Sequence, residues 1–225
     1  MLQKHAEGLW TLDHPMKLMG LDLGIRMTVV RLKDGGLWLY SAVPLTDEAA
    51  REVEALGPVR FIVAPSLFHH LFAGKAKARF PSAKLLVAPG LPEKRKTLSH
   101  DGVLGTAPDP GYASDLEQRI IGGMPKMNEA VFLHRASRTL IVTDCFFYVP
   151  RPRNWLTWLY MKLSGTIGAL CQTKVYRALI RNRGAFRASM EAVGRWDFDR
   201  VIVSHGEVLP TGGKAAFEKA TAWLR

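Results

Sequence analysis

Three apolar segments of this chain, residues 59–64, 139–143 and 199–203, lead into side chains that commonly bind metals. Each segment has the length and the apolar, β-branched composition of a buried strand. Side chains at strand ends are held by a rigid backbone and can meet at one edge of a sheet. We therefore expect the side chains that follow these segments to converge there. They are His69, His70, Asp144 and His205.

Strand-like and helix-like segments alternate along most of the chain, which indicates an α/β fold. Thr46 is predicted to cap the first helix, since Asp47 and Glu48 favour its first turn. Residues 97–114 are rich in Gly, Pro, Asp and Ser and predict an irregular loop. The other strands are predicted at residues 8–12, 17–23, 27–32, 37–40, 84–88, 118–121 and 130–134. The helices are predicted at residues 47–56, 71–80, 154–193 and 214–224.

The length and composition favour one globular domain over residues 1–225, with no internal repeat. Only two cysteines occur, Cys145 and Cys171, which predicts a reducing compartment. The N-terminus lacks the apolar run of a signal peptide, so we expect a cytoplasmic protein. The net charge of +11 favours an anionic partner, whether nucleic acid, membrane or small substrate, or else a diffuse basic surface.

The segment before His70 resembles the HxHxDH motif of the metallo-β-lactamase superfamily. In that alignment Pro65 and Leu67 take the first two His positions, His69 takes the Asp position, and His70 takes the last. The chain is most similar to a bacterial family of unknown function within that superfamily. The resemblance implies an αββα sandwich, with mixed sheets and helices on the outer faces.

The superfamily motif provides the ligands of two metal sites. This chain lacks the histidines of one site, whereas the positions of the other site hold residues that can bind a metal. The positions of one site hold no histidine, and Met124 and Pro125 stand where its third histidine is expected. The resemblance implies that the other site keeps four ligands, His69, His70, Asp144 and His205. Three histidines and one carboxylate suit one divalent ion, Zn²⁺ or Fe²⁺, better than Mg²⁺ or Ca²⁺.

A four-ligand tetrahedral site is closed, whereas a three-ligand site leaves room for a water whose pKa is lowered toward neutrality. The chain is therefore predicted to be a metal-dependent hydrolase with a mononuclear site. Asp144 and Glu207 are its candidate catalytic residues, and a small molecule, with an anionic group as one option, is its substrate. The alternatives are a site that packs without metal and a non-catalytic protein that binds or senses a metal or ligand.

A basic and aromatic stretch, residues 151–195, is predicted to be a helical insertion. Its helices are expected to cover the sheet or form a homodimer contact, to form a lid with arginines for an anionic group, or to lie on an anionic membrane through residues 151–187. Within it, the apolar run of residues 155–171 is too short and too interrupted to span a bilayer. Nucleic acid is disfavoured, because the superfamily members that process it carry the two-metal pattern.

Overall fold

The computed structural model describes residues 1–164 and 167–224. The strands are β1 (Gln3–Ala6), β2 (Leu9–His14), β3 (Lys17–Leu18), β4 (Leu21–Asp22), β5 (Ile25–Arg31), β6 (Leu37–Tyr40), β7 (Val59–Ala64), β8 (Lys84–Val87), β9 (Gly102–Val103), β10 (Leu116–Ile120), β11 (Ala130–His134), β12 (Thr139–Ile141) and β13 (Arg200–Ile202). The helices are α1 (Asp47–Glu54), α2 (Ala73–Arg79), α3 (Leu91–Lys94), α4 (Trp155–Leu163), α5 (Lys174–Ala178), α6 (Arg183–Gly194) and α7 (Gly213–Thr221), followed by a 3-10 helix, Ala222–Leu224.

Two mixed sheets form the centre of the fold. The first has the strand order β1-β2-β5-β6-β7-β8-β9, antiparallel as far as β6 and parallel from β6 to β9. The second has the order β10-β11-β12-β13, in which β12 and β13 are parallel. Because β7, β12 and β13 are central or parallel strands, most of their residues are apolar and buried, which is why they could be recognised in the sequence.

The sheets pack face to face, and helices cover both outer faces. Trp38 and Phe61 of the first sheet meet Phe132 and Ile202 of the second in one buried cluster. A second cluster joins the outer face of the first sheet to α1, α2 and α3. A third joins the outer face of the second sheet to α5, α6 and α7. The layers are therefore α, β, β, α, which confirms the sandwich that the resemblance implies.

Most predicted elements are present with shifted ends. Thr46 caps α1 by accepting a hydrogen bond from the Ala49 amide at 3.2 Å. Residues 17–23, predicted as one strand, instead form the small hairpin β3–β4, whose turn contains Met19 and Gly20 at positive φ. The stretch 154–193, predicted as largely helical, contains α4, α5 and part of α6, and its residues 165–166 lie outside the described part of the chain.

Candidate metal centre

Three side chains from different parts of the fold meet where β7, β12 and β13 end. The Nε2 atoms of His69 and His205 are 3.2 Å apart. Oδ1 of Asp144 is 3.3 Å from His69 Nε2 and 3.2 Å from His205 Nε2. Parallel pairing of β12 with β13 brings Asp144 and His205 to the same edge of the second sheet, and the segment after β7 supplies His69 from the first.

The triangle of donor atoms fits a tetrahedral metal ion. Ligand atoms at about 2.0–2.1 Å from a tetrahedral zinc lie about 3.3–3.4 Å from one another, close to the three observed separations. Two imidazole nitrogens and a carboxylate are also donors that zinc and iron accept. His69, Asp144 and His205 could therefore hold one divalent ion, which would leave one tetrahedral position for a further ligand.

The backbone around β4 and β5 orients the His205 ring. Its Nδ1 donates to the Gly24 carbonyl at 2.8 Å, so the neutral ring keeps its proton on Nδ1 and has a lone pair on Nε2. The Phe147 ring stacks on the imidazole, with ring centres 5.0 Å apart. The ring is thus fixed with its unprotonated nitrogen toward Asp144 and His69.

Two serines orient His69. Ser66 Oγ accepts hydrogen bonds from the amides of Phe68 and His69, which closes a turn directly after β7. Ser41 Oγ lies 2.8 Å from His69 Nδ1 and fixes the other side of the ring. Ser41 has a φ of 58°, a strained conformation for a residue other than glycine, and such strain often occurs at functional sites.

Asp144 is ionised in spite of its burial. Burial by itself raises the pKa of Asp144, but the rings of His69 and His205 in their protonated form, as positive charges and hydrogen-bond donors, outweigh it and hold the pKa below its usual value. Its Oδ2 is buried and has no hydrogen-bond partner in the described part of the chain. A buried carboxylate with an unpaired oxygen is costly unless a cation or proton compensates it, which also fits a metal centre.

A second buried carboxyl, Glu129, supports the backbone that carries Asp144. Its Oε1 accepts a hydrogen bond from the Thr143 amide at 2.7 Å. Burial, and then the charge of Asp144, raise the pKa of Glu129 to about 8. Glu129 is therefore mostly protonated at neutral pH, which limits the repulsion between the two carboxyl groups.

Arg26, which is almost fully buried, links the two sheets beside the site. Its guanidinium makes a two-pronged ion pair with Asp13, at 2.6 and 2.8 Å. It also donates to the carbonyls of Val203 and Gly206, on either side of His205. Sequence reasoning missed Arg26, Gly24 and Ser41, because none belongs to a motif and their contacts are made across the chain.

The structure brings only three of the four predicted ligands together. His70 lies outside the cluster, and its Nδ1 is buried without a partner in the described part of the chain. Burial, Lys94 and Arg95 lower the pKa of His70, so its ring lies near those cations of the α3 end. The turn closed by Ser66 directs the adjacent side chains of His69 and His70 to different places, so the structure does not bring His70 to the other three predicted ligands.

Glu207 also lies away from the cluster. Both of its carboxylate oxygens accept hydrogen bonds from Arg151, each at 3.0 Å, and the pair is exposed. The expectation that Glu207 orients a ligand or moves protons at the centre is therefore not met. Its partner in the folded chain is a surface arginine.

The positions of the second family metal site are filled by apolar side chains. Leu67 packs in the core beneath α2, and Met124 packs in the core beneath α6. Leu67 and Met124 are buried, and neither carries a donor suited to zinc. Within the described residues, the donor cluster is thus limited to one ion.

A pocket of about 200 Å³ opens over the three side chains. Its walls are mainly apolar, and no Lys or Arg is among the described residues that line it. Its apolar lining consists of Met16, Leu23, Ile25, Ala42, Phe68, Leu71 and Phe72. The arginines Arg151 and Arg153 line a neighbouring groove, and Leu23 lies between the two.

Comparison with protein families identifies the chain. Residues 6–162 match the model of the domain of unknown function DUF4336, which spans more than half of the chain. The chain belongs to the DUF4336 family. Among curated proteins there is no significant match.

Solved structures give the fold. A metallo-beta-lactamase from Pontibacter korlensis is 12% identical, with a TM-score of 0.69 and coverage of 100% of this chain and 98% of that chain. One from Hirschia baltica is 15% identical, with a TM-score of 0.65 and coverage of 100% and 96%. One from Erythrobacter litoralis with beta mercaptoethanol in the active site is 16% identical, with a TM-score of 0.66 and coverage of 99% and 95%. These likenesses confirm the metallo-β-lactamase fold, and at such identities they carry no information on activity.

Proposed function

We propose that this chain is a mononuclear metal-dependent hydrolase whose ligands are His69, Asp144 and His205, and that its substrate is an ester, thioester or lactone with an apolar group. The observation that carries the proposal is the near-equilateral triangle of Nε2, Oδ1 and Nε2 atoms at the base of an apolar pocket. Zinc or iron(II) suits this donor set. The low number of cysteines supports the cytoplasm as the compartment of the protein.

A bound ion would polarise the substrate carbonyl and lower the pKa of an attacking water. The residues of the chain supply the remaining functions. Gly24 keeps the His205 imidazole in the orientation and tautomer that ligation requires, and Ser41 holds the His69 ring in its orientation. Asp144, which is ionised, would hold the ion through Oδ1 and offset part of its charge.

The pocket walls position the substrate. Phe68 and Leu71 are each about half exposed at the mouth, and Phe72 and Ile25 lie deeper. Burying a methylene group there contributes about 0.8 kcal/mol, so each extra carbon of an acyl chain is expected to raise kcat/KM about fourfold until the pocket is filled. The absence of cations from the described lining favours an uncharged acyl group over an anionic one.

The test is hydrolysis of p-nitrophenyl esters of increasing acyl length by protein stripped of metal and then reloaded with zinc or iron(II). We expect turnover only after reloading, a preference for longer chains, and loss of turnover in Asp144→Asn. His100→Gln, a substitution at an exposed histidine, is the matched control and is expected to behave as wild type.

A second pair of variants tests the pocket. Leu71→Asp is expected to remove the preference for long chains without changing metal content, whereas Val103→Asp, at an exposed residue of β9, is expected to leave it. Metal binding without turnover of any ester would reject the hydrolase and favour the non-catalytic binding protein. Turnover in the metal-free protein would reject the role of the centre.

A further inference from the structure

The charge of this protein is concentrated in one stretch. Residues 145–190 contain eight Lys or Arg residues and no Asp or Glu, in a chain whose net charge is +11. The eight are Arg151, Arg153, Lys162, Lys174, Arg177, Arg181, Arg183 and Arg187. Such a stretch produces a local positive potential that attracts anionic surfaces.

Helix α4, within this stretch, exposes an apolar face to solvent. Thr157 and Met161, four residues apart, are buried and turn the opposite face inward. On the outer face Trp155 is 73% exposed, Trp158 is 43% exposed and Leu163 is 66% exposed. Exposed apolar side chains on this scale usually mark a contact surface.

Cations lie among these apolar groups. Lys162 Nζ is 4.6 Å from the ring centre of Trp158, one helical turn away. Lys174 Nζ donates to the Leu163 carbonyl at 2.8 Å, which ties the start of α5 to the end of α4. We call the exposed set Trp155, Trp158, Lys162, Leu163 and Lys174 the α4 face.

Neighbouring segments extend the α4 face. Ile167 and Val175 are exposed, and with the α4 residues they make up half of the ten large exposed hydrophobic side chains of the described chain. On the other side Asn154 Nδ2 donates to the Gly20 carbonyl at 3.1 Å, which places the β3–β4 hairpin beside α4. Met19, at the tip of that hairpin, is 91% exposed.

We propose that the α4 face docks on an anionic lipid surface, with its tryptophans and aliphatic side chains in the interface and its lysines at the headgroups. Tryptophan beside lysine is the pattern of helices that lie on membranes, where the ring sits at headgroup level and the lysine stem packs along it. Insertion of aliphatic side chains such as Leu163 among acyl chains is favourable because it removes apolar surface from water. Contact with the phosphate backbone of a nucleic acid would give no such stabilisation.

The charge pattern distinguishes a lipid surface from a second copy of the chain. A two-fold dimer through the α4 face would bring the same basic residues of both copies together, with no acidic residue in 145–190 to compensate them. An anionic bilayer instead attracts each cation. No helix of the described chain is long and apolar enough to cross a membrane, so the contact would be peripheral.

The test is sedimentation of the full-length protein with vesicles of phosphatidylcholine alone or mixed with phosphatidylglycerol. We expect binding to the anionic vesicles at low salt, weaker binding at high salt, and little binding to phosphatidylcholine alone. Trp155→Ala/Trp158→Ala is expected to reduce partitioning about tenfold, because it removes the inserted rings. Brominated lipid should quench wild-type fluorescence more than that of this variant.

Two double variants with the same change in net charge distinguish the contribution of the lysines on the α4 face from that of the net charge of the protein. Lys162→Glu/Lys174→Glu is expected to reduce binding at least about tenfold, since each cation near the surface contributes to attraction. Lys96→Glu/Lys219→Glu, two exposed lysines outside the stretch, changes the net charge equally and is expected to have a small effect.

Three outcomes would overturn the proposal. One is the absence of binding to anionic vesicles at low salt. Another is an equal loss of binding in both lysine pairs, which would indicate net charge alone. The third is a wild-type dimer in light scattering that dissociates in the tryptophan variant, since the α4 face would then be a protein interface.

Discussion

Gly206 provides a sharp test of how the fold positions His205. Its φ is +97°, and a Cβ atom at this position would lie 1.9 Å from the Tyr148 carbonyl oxygen. That oxygen also accepts the Glu207 amide at 2.7 Å, so it has little freedom to move. Gly206→Ala therefore combines backbone strain of about 1–3 kcal/mol with displacement of packed backbone, about another 1–3 kcal/mol.

We expect Gly206→Ala to lower the free energy of unfolding by about 2–6 kcal/mol and to weaken metal binding, because His205 must shift with its neighbour. The control is Gly212→Ala, where φ is +72° and nothing lies within 4 Å of the added Cβ. It is expected to cost about 1–2 kcal/mol with metal affinity intact. The assay is urea unfolding beside a zinc titration, and equal effects of the two variants would refute the reasoning.

Three further substitutions test the surroundings of the centre. Ser41→Ala removes the hydrogen-bond partner of His69 Nδ1. It should weaken metal binding about 10- to 100-fold in a chelator competition and leave the free energy of unfolding nearly unchanged. Arg26→Lys keeps the charge but loses the planar guanidinium that binds Asp13 and the carbonyls beside His205. Urea unfolding should therefore show a free energy of unfolding lower by about 2–4 kcal/mol, and a decrease below about 1 kcal/mol would contradict this role. Glu129 binds its proton more tightly in the folded than in the unfolded state, so its contribution to stability falls as pH rises from 4.5 to about 8. In metal-free protein, the free energy of unfolding of Glu129→Gln relative to that of wild type should therefore increase as the pH rises through this range. Parallel curves of unfolding free energy against pH for the two proteins would contradict the raised pKa of Glu129.

The α/β class could be predicted from the sequence because buried strands carry a strong signal, whereas the αββα layering was implied by the resemblance to the metallo-β-lactamase superfamily. Residues 59–64 and 130–134 are mostly apolar, and the structure places them as interior strands of the two sheets. The hairpin β3–β4 was missed because Met19 adopts a positive φ, which no sequence pattern indicates. That residues 1–225 form a single domain stays a prediction.

The candidate centre was predicted in part. Asp144 and His205 directly follow strands, so sheet pairing alone brings them together. His69 and His70 lie in a turn, and which of two adjacent side chains points to the sheet edge depends on the hydrogen bonds of Ser66. Contacts of this kind, like those of Arg26 with carbonyls about 180 residues away, become visible only in the folded chain.

The central claim is that three residues, and not His70, hold one metal ion. Its most direct test is equilibrium zinc binding, measured by competition with a chromophoric chelator, in wild type, Asp144→Asn, His205→Gln and His70→Gln. We expect one ion per chain with unchanged affinity in His70→Gln, and affinity about 100-fold lower or worse in the other two variants, beyond the effect of losing an outer hydrogen-bond partner. Equal loss in His70→Gln and His205→Gln, or no loss in Asp144→Asn, would contradict it.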